Sequence, residues 1–289
     1  DKINNVGGSP LMYSIGVGLA DSYSTITKFD NPEGALNNYY EGKRIGEIWG
    51  YVTDGFIQDE AEAQRMATIQ GDISKTWKVG DIRYKDLDGV EGITSAKTIY
   101  NTGDQKVIGN TTPRYSFNIN ASASWKGFDV RVFFEGIAKR DLWIDSPVFW
   151  GFPSNSNVWQ SAVNDYHVDN SWSENNTNAY YPLPSYSGRS KQTQTKYLQN
   201  GAYIRLKDLT ISYTIPKAWI STVGIEQLKV FASGQNLWVG TKLFKYLDPD
   251  IVSTRQSNSK DNKLVGNLTS DGKAYPFSRT FSFGINLTF

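Results

Sequence analysis

The sequence has 289 residues, which is long enough for a sizeable core, and its 30 Lys plus Arg and 29 Asp plus Glu leave a formal net charge of +1. So balanced a charge offers no basic surface for nucleic acid, and the absence of cysteine excludes disulfides and thiolate chemistry. Aromatic residues make up 14% of the chain, although the mean hydropathy is only -0.47. This combination is typical of transmembrane β-barrels and of sugar-binding β-sandwiches.

Alternating side chains predict the first three strands. In residues 11–20 (LMYSIGVGLA), large apolar side chains at odd positions alternate with Ser, Gly and Ala at even positions. Residues 115–125 (YSFNINASASW) repeat the pattern with Ser and Asn, and residues 128–138 resume it after Lys126 and Gly127. A period of two places alternate side chains on opposite faces of a strand. The Lys-Gly pair predicts a tight turn, so the second and third strands form a hairpin.

Three more strands are predicted over residues 201–215, 227–237 and 278–289. The closing strand, SRTFSFGINLTF, has Phe, Ile and Leu on one face and Thr, Ser, Gly and Asn on the other. Each strand therefore separates an apolar from a polar environment. In total the alternation predicts six strands.

The connections between these strands are alternately short and long. Residues 126–127 and 216–226 are short connections, whereas about 29–105, 141–195 and 241–275 are long loops, the first with one short helix starting near Asp59. Outer-membrane barrels combine short periplasmic turns with long extracellular loops. The predicted fold class is therefore all-β: the strands and long extracellular loops of a large transmembrane antiparallel β-barrel, with a periplasmic C-terminus.

Six strands are too few to close such a barrel. The smallest bacterial barrels have about 8 strands, and each unpaired edge group in hydrocarbon costs several kcal/mol. We therefore expect further strands to come from outside these residues, upstream of Asp1.

Several segments, in order along the chain, resemble the SusC/RagA family of TonB-dependent outer-membrane transporters. They are YYEGKRIGEIWGYVTDGFIQ (39–58), VGDIRYKDLDG (79–89), VIGNTTPRYSFNINASASWKGFDVRVFFEG (107–136), NGAYIRLKDLTISYTIP (200–216) and LKVFASGQNLW (228–238). The resemblance implies that residues 1–289 are the C-terminal part of a receptor barrel whose plug domain and N-terminal strands lie outside this chain. It also implies a Gram-negative outer-membrane location.

The resemblance further implies active import of a nutrient, most often an oligosaccharide and sometimes a peptide. The implied partners are the lipid bilayer, a SusD-like surface lipoprotein that closes over the barrel as a lid, and the TonB complex, which acts through the missing part. Two alternatives remain open: a surface glycan-binding or adhesive β-protein that transports nothing, and a soluble glycoside hydrolase. The sequence offers no nucleophile or paired carboxylates in a recognisable arrangement, so we expect no enzyme.

DLDGVEGI, from Asp86, indicates a candidate calcium loop. Asp86 and Asp88 are two residues apart and precede a glycine, as in hard-cation loops, and Asp104 follows before the next predicted strand. Val90 and Glu91 depart from the calcium pattern, which leaves an Asp-Gly turn without a cation as the alternative. We expect no other cofactor.

The second long loop is rich in aromatic rings, which stack on sugars and anchor protein partners. The predicted substrate-facing or lid-facing rings are Trp143, Phe149, Trp150, Trp159, Trp172, Tyr180 and Tyr181. The alternative is that many of them build a small core within the loop itself. His167, the only histidine, has no catalytic partner in the sequence and is expected to be solvated.

Overall fold

A computed structural model describes residues 2–153, 159, 161–221, 224–252 and 275–289. Seven of its antiparallel strands form one sheet in which the spatial order equals the order along the chain. The strands of this main sheet are β1 (Lys2–Val6), β2 (Ser9–Ala20), β7 (Arg114–Trp125), β8 (Phe128–Lys139), β11 (Tyr203–Thr214), β12 (Gln227–Thr241) and β13 (Thr280–Thr288). All six predicted strands are present.

For the main sheet, the prediction of six strands was one short, because β1 was missed. β1 pairs with β2 in a hairpin, and Gly7 and Gly8 form the turn with φ of +56° and +74°. Two asparagines interrupt the apolar alternation of β1, and asparagine is depleted in strands, so the sequence gives a weak strand signal there. In the described part of the chain, β1 and β13 each pair on one side only and the sheet is open.

The turn predicted between β7 and β8 is confirmed. Lys126 and Gly127 have φ of +48° and +85°, and two consecutive residues with positive φ are the requirement of a type I′ turn. The Gly127 site is also crowded, since an added Cβ would lie 2.8 Å from the Thr214 carbonyl oxygen. Glycine is therefore needed there for two reasons.

The strand register pairs apolar residues with apolar ones and polar residues with polar ones across the main sheet, as the alternation predicts. One row of paired residues is apolar or lacks a side chain: Ile15, Ala121, Val132, Leu209, Gly234 and Phe281. The adjacent row, on the opposite face, is polar: Ser14, Ser122, Arg131, Thr210, Ser233 and Ser282. We call these two faces of the main sheet the apolar face and the polar face.

The apolar face is open to its surroundings. Val17 is 72% exposed and Phe283 is 82% exposed, and many other large apolar side chains of this face are exposed as well. Exposed apolar surface on this scale marks an interaction with an apolar medium or a partner. Among the described residues, no helix is both long enough and apolar enough to cross a membrane.

The long connections are more ordered than the sequence predicts. They contain three two-stranded sheets, made from β3 (Glu47–Tyr51) with β6 (Gln105–Asn110), β4 (Thr53–Phe56) with β5 (Ile82–Tyr84), and β9 (Asp141–Leu142) with β10 (Gln199–Asn200). They also contain helices α1 (Glu60–Ile69), α2 (Pro147–Trp150) and α3 (Asp165–Asn170). A fourth helix, α4 (Lys217–Ile220), lies in the short connection between β11 and β12.

Helix α1 is the helix predicted near Asp59. The Asp59 side chain caps it by accepting a hydrogen bond from the Glu62 amide at 2.7 Å. Ala63 and Met66 are buried on one side of the helix. This short amphipathic segment was recognisable because both its cap and its helix-forming residues are local signals.

The three long connections share one hydrophobic core. Buried residues come from the first loop (Ile48 to Ile93), the second (Leu142 to Tyr197) and the third (Leu243 to Val252). We call this packed unit, formed by residues 21–113, 140–153, 159, 161–202 and 242–252, the loop body. Because the strands alternate in direction, it lies at the end of the main sheet opposite the short turns.

Candidate functional site

A buried ion pair joins the first and second loops of the loop body. The Asp81 carboxylate is completely buried and accepts hydrogen bonds from Arg189 Nε at 2.6 Å and from Ser190 Oγ at 2.9 Å. Ser190 Oγ in turn accepts a hydrogen bond from the Ile82 amide. This network fixes the second loop against the first over a separation of more than 100 residues in the chain.

The structure brings the three predicted metal ligands together. Asp86, Asp88 and Asp104 each place a carboxylate oxygen so that all three atoms lie within 4.8 Å of one another. Asp104 is fully buried, whereas the other two are exposed. Three carboxylates with one buried member are chemically suited to a hard divalent cation.

The same carboxylates also organise the backbone around them. Asp104 accepts hydrogen bonds from the Leu87 and Thr94 amides, both at 2.7 Å. Asp86 accepts one from the Gly89 amide and Asp88 one from the Val90 amide, as in an Asp-Gly turn. The geometry is thus compatible with both interpretations of the sequence, and the bound cation stays a prediction.

Most of the predicted binding aromatics lie inside the loop body. Those that are buried in its core are Trp143, Phe149, Trp150, Trp172 and Tyr181. The Phe149 ring makes edge contacts with Trp150 at 5.1 Å and with Tyr181 at 5.5 Å between ring centroids. As placed, these rings build the interior of the loop body, which was the alternative considered from the sequence.

The other two predicted aromatics are accessible to different degrees. Trp159 is 92% exposed, and Tyr180 is half-buried with its ring 5.4 Å from that of Tyr197. Contact of any of the seven rings with substrate or with a lid stays a prediction. Trp159 is the one whose side chain is most available for it.

The expectation that His167 is solvated was wrong, because its side chain is 2% exposed. His167 lies at the start of α3, where it forms a reciprocal capping box with Asn164, and its Nε2 lies 3.1 Å from the Phe149 carbonyl oxygen. Burial lowers the pKa of its imidazole. The capping pattern Asn-x-x-His before a short helix was the available sequence signal.

The polar face of the main sheet carries a charged cluster that the sequence analysis did not single out. Asp129 pairs with Lys229 at 2.7 Å and also accepts hydrogen bonds from Ser124 and Ser212. These residues lie on four strands, so only the register brings them together.

Comparisons with known proteins identify relatives of this chain. No protein-family model matches the chain. It is 30% identical over 249 residues to TonB-dependent receptor P3 of Formosa agariphila, and 26% identical over 222 residues to TonB-dependent receptor P26 of the same organism. These alignments cover 86% and 73% of the chain. The chain spans only about a fifth of the length of these relatives, 22% and 20% respectively.

Solved structures share the fold. The RagAB peptide importer in its open-open state matches 99% of the chain and 27% of that structure's chain, with a TM-score of 0.62 and 20% identity. The closed-closed state gives the same TM-score and identity, with 28% of that chain covered. The resemblance stated from the sequence is thereby confirmed. The chain is a homologue of the TonB-dependent receptors, a family of transporters of the Gram-negative outer membrane rather than enzymes.

Proposed function

We propose that this chain contributes barrel wall and extracellular loops to an outer-membrane transporter that imports an oligosaccharide. In this proposal a SusD-like lipoprotein covers the loop body as a lid, and the TonB complex drives import through parts of the transporter outside residues 1–289. The short turns face the periplasm, and the loop body faces the cell exterior.

The main sheet is the observation that carries this proposal. Large apolar side chains of its apolar face are exposed on the six strands from β2 to β13, while its polar face presents serines, asparagines and the Asp129–Lys229 pair. A wall between lipid and a water-filled lumen needs this division of side chains. A soluble β-sandwich would cover the apolar face with a second sheet, and the described residues contain no such sheet.

The loop body supports the proposed lid and substrate class. Exposed rings on its surface include Trp159, Tyr100 and Tyr246, and aromatic faces stack on the apolar faces of sugars. A packed loop body also offers a surface of defined shape, which a lid needs for repeated closure. Both roles are proposed for the surface of the loop body and not for its core.

A peptide is the second candidate substrate. RagAB is a peptide importer, but a likeness at 20% identity carries the fold alone. A surface protein that binds glycan without transport is the candidate of another class. It would need the same wall but neither the lid nor TonB.

The test uses the full-length transporter purified in detergent and the strain that produces it. We expect a surface lipoprotein to co-purify, and we expect growth on the imported oligosaccharide to require TonB. Growth that is independent of TonB, together with retained glycan binding at the cell surface, would support the non-transporting alternative. TonB-dependent uptake of peptides and not of oligosaccharides would correct the substrate class.

Trp159→Ala tests the proposed role of the loop surface. We expect it to weaken co-purification of the lid or retention of the oligosaccharide while the loop body stays folded. Trp150→Ala is the matched control, because this ring is only 5% exposed and its loss should unfold the loop body locally. Unchanged lid and substrate binding in Trp159→Ala would remove this side chain from the proposed surface.

A further inference from the structure

A polar cleft lies where the loop body meets the strand ends of the main sheet. Its volume is about 300 Å³. Segments far apart in the chain form its walls, and the side chains that matter for its chemistry are Tyr23, Arg44, Glu47, Arg114, Lys139 and Asp141. We call it the junction cleft.

One wall of the junction cleft is a stack of two cations on one ring. The guanidinium carbon of Arg44 lies 5.1 Å from the Tyr23 ring centroid, and that of Arg114 lies 5.0 Å from the same centroid. Arg114 is also held by an ion pair with Asp21. Stacking fixes the position of the Arg44 side chain before any ligand arrives, which reduces the entropy lost on binding.

The carboxylates of the cleft are already occupied by neighbouring donors. Glu47 accepts a hydrogen bond from the Tyr40 hydroxyl at 2.5 Å and another from the Arg44 backbone amide at 3.0 Å. Asp141 accepts one from the Asn110 amide at 3.0 Å. These bonds engage both carboxylates with uncharged donors.

Two cationic side chains of the cleft have N–H donors that make no hydrogen bond among the described residues. Within the described part of the chain, neither the Arg44 guanidinium nor the Lys139 ammonium has a carboxylate within 4.0 Å or a hydrogen-bond acceptor. Arg114, opposite Lys139 in the β7–β8 register, is neutralised by its ion pair with Asp21 and contributes to the cleft through its stack on Tyr23. A concave site with free guanidinium and ammonium donors is suited to an oxyanion, which arginine binds through two parallel hydrogen bonds.

The cleft lies on the side that the substrate would pass. Lys139 has the same parity along β8 as Arg131 and Glu135, which belong to the polar face. Under the proposed function this face lines the lumen, and the strand ends at the loop body form the outer mouth. A solute entering the lumen from outside would therefore pass the cleft.

We propose that the junction cleft binds an anionic group, a carboxylate or a sulfate ester, on the imported oligosaccharide. This inference rests on the proposed function and narrows its substrate class to acidic sugars. Arg44 and Lys139 supply the hydrogen bonds to the oxyanion, and the Tyr23 stack positions Arg44.

Calorimetry on the full-length transporter with its lid tests the proposal with two matched probe pairs. The pairs are trigalacturonic acid with its uncharged methyl ester, and a sulfate ester of maltotriose with maltotriose. We expect at least one acidic probe to bind about tenfold or more tightly than its neutral partner, and the advantage to shrink at high salt. The probe pair in which the acidic member binds more tightly identifies the bound group as a carboxylate or a sulfate ester.

Variants connect the binding to the cleft. Arg44→Gln combined with Lys139→Gln should abolish the preference for the acidic probe. Lys106→Gln is the control, because this lysine is exposed on β6 close by but does not line the cleft, and its removal should leave the preference intact. Both variants should retain lid co-purification, which reports the fold.

Equal binding of acidic and neutral probes, no binding of either acidic probe, or an unchanged preference in the double variant would each overturn the proposal. None of these results affects whether growth on oligosaccharide requires TonB. Failure of the anion site is therefore distinguishable from failure of the proposed import function.

Discussion

The Asp81 carboxylate joins two loops through a charge that has no access to water. Removing one member of a buried ion pair leaves the other unpaired in a low-dielectric site, at a cost of about 3–5 kcal/mol. We therefore expect Asp81→Ala to destabilise the loop body strongly. Hydrogen exchange of loop-body amides in the purified transporter should report the change as faster opening.

Asp54 provides the matched control for Asp81. It pairs with Arg83 at 2.8 Å, but its side chain is 48% exposed, and exposed pairs contribute only about 0–1 kcal/mol. Asp54→Ala should leave the exchange pattern nearly unchanged. Similar effects from the two substitutions would contradict the assigned burial.

Lys191 is another buried charge, and its stability contribution should depend on pH. Its ammonium donates hydrogen bonds to the carbonyls of Phe152, Pro153 and Ser185, and desolvation lowers the pKa of Lys191 to about 8. Between about pH 8 and the ordinary lysine pKa near 10.5, the unfolded state then binds more protons than the folded state. The stability of the loop body should therefore rise with pH across this window.

Lys191→Met isolates this pH dependence. We expect thermal melting, followed by tryptophan fluorescence at pH 7.5 and pH 10, to show a gain at high pH in the unsubstituted protein and a smaller gain in the variant. A parallel response of both proteins would exclude Lys191 as the titrating group.

The acidic cluster is tested by adding and removing its predicted cation. If Asp86, Asp88 and Asp104 hold Ca²⁺, the metal relieves the repulsion among three close carboxylates, so Ca²⁺ should raise the melting temperature and EDTA should lower it. Asp86→Asn combined with Asp88→Asn should abolish the difference. This pair avoids Asp104, whose two backbone hydrogen bonds make its replacement structurally disruptive. Identical melting with Ca²⁺ and EDTA would favour the turn without a cation.

At the scale of the element, neighbouring residues of β7 have opposite surroundings. Ile119 pairs with Val17 and Phe134 on the apolar face, whereas Asn120 lies on the polar face. Arginine at a lipid-facing position near the bilayer midplane costs about 2–4 kcal/mol. We expect Ile119→Arg to impair folding into lipid vesicles and Asn120→Arg to be tolerated, as measured by urea unfolding. Equal damage would mean that the faces are assigned wrongly.

The strands were predictable because their signal is local and repeated. Alternation marks β7 and β13 residue by residue, and the Lys126-Gly127 turn marks the only two-residue connection that the sequence analysis recognised. β1 escaped because its asparagines break the pattern. Strands β3 to β6 escaped because each has only three to six residues and pairs only within the loop body, so none is long enough to show a clear alternation.

The candidate sites were predictable only in part, for the same reason. Asp86 and Asp88 are close in sequence, so their association is local, whereas the junction cleft is lined by both Arg44 and Lys139, which are 95 residues apart in the chain. The ring-rich second loop was recognised, but which rings are buried depends on packing against the first and third loops. The sequence shows which residue types are available for such a site. Only the strand register and the packing show which of those residues are exposed on its surface.

At the scale of the whole molecule, the two ends of the main sheet should face different compartments. Because the chain contains no cysteine, single substitutions give labels without background from these residues. Ser95 is exposed on the loop body, and Ser221 is exposed in the connection that follows β11. We expect Ser95→Cys to react with an impermeant maleimide on intact cells, and Ser221→Cys to react only after the outer membrane is permeabilised. The reverse pattern would invert the proposed orientation.

The shared core of the three long loops has a practical consequence for engineering. No single loop forms a core by itself, since aromatic rings of the second loop pack against the first and the third loops. The Asp81–Arg189 ion pair also joins the first loop to the second. Grafting one loop from a relative onto this scaffold would therefore leave mismatched halves of a core. Chimeras that aim to exchange ligand preference should transplant all three loops as a set, while the wall beneath can be kept.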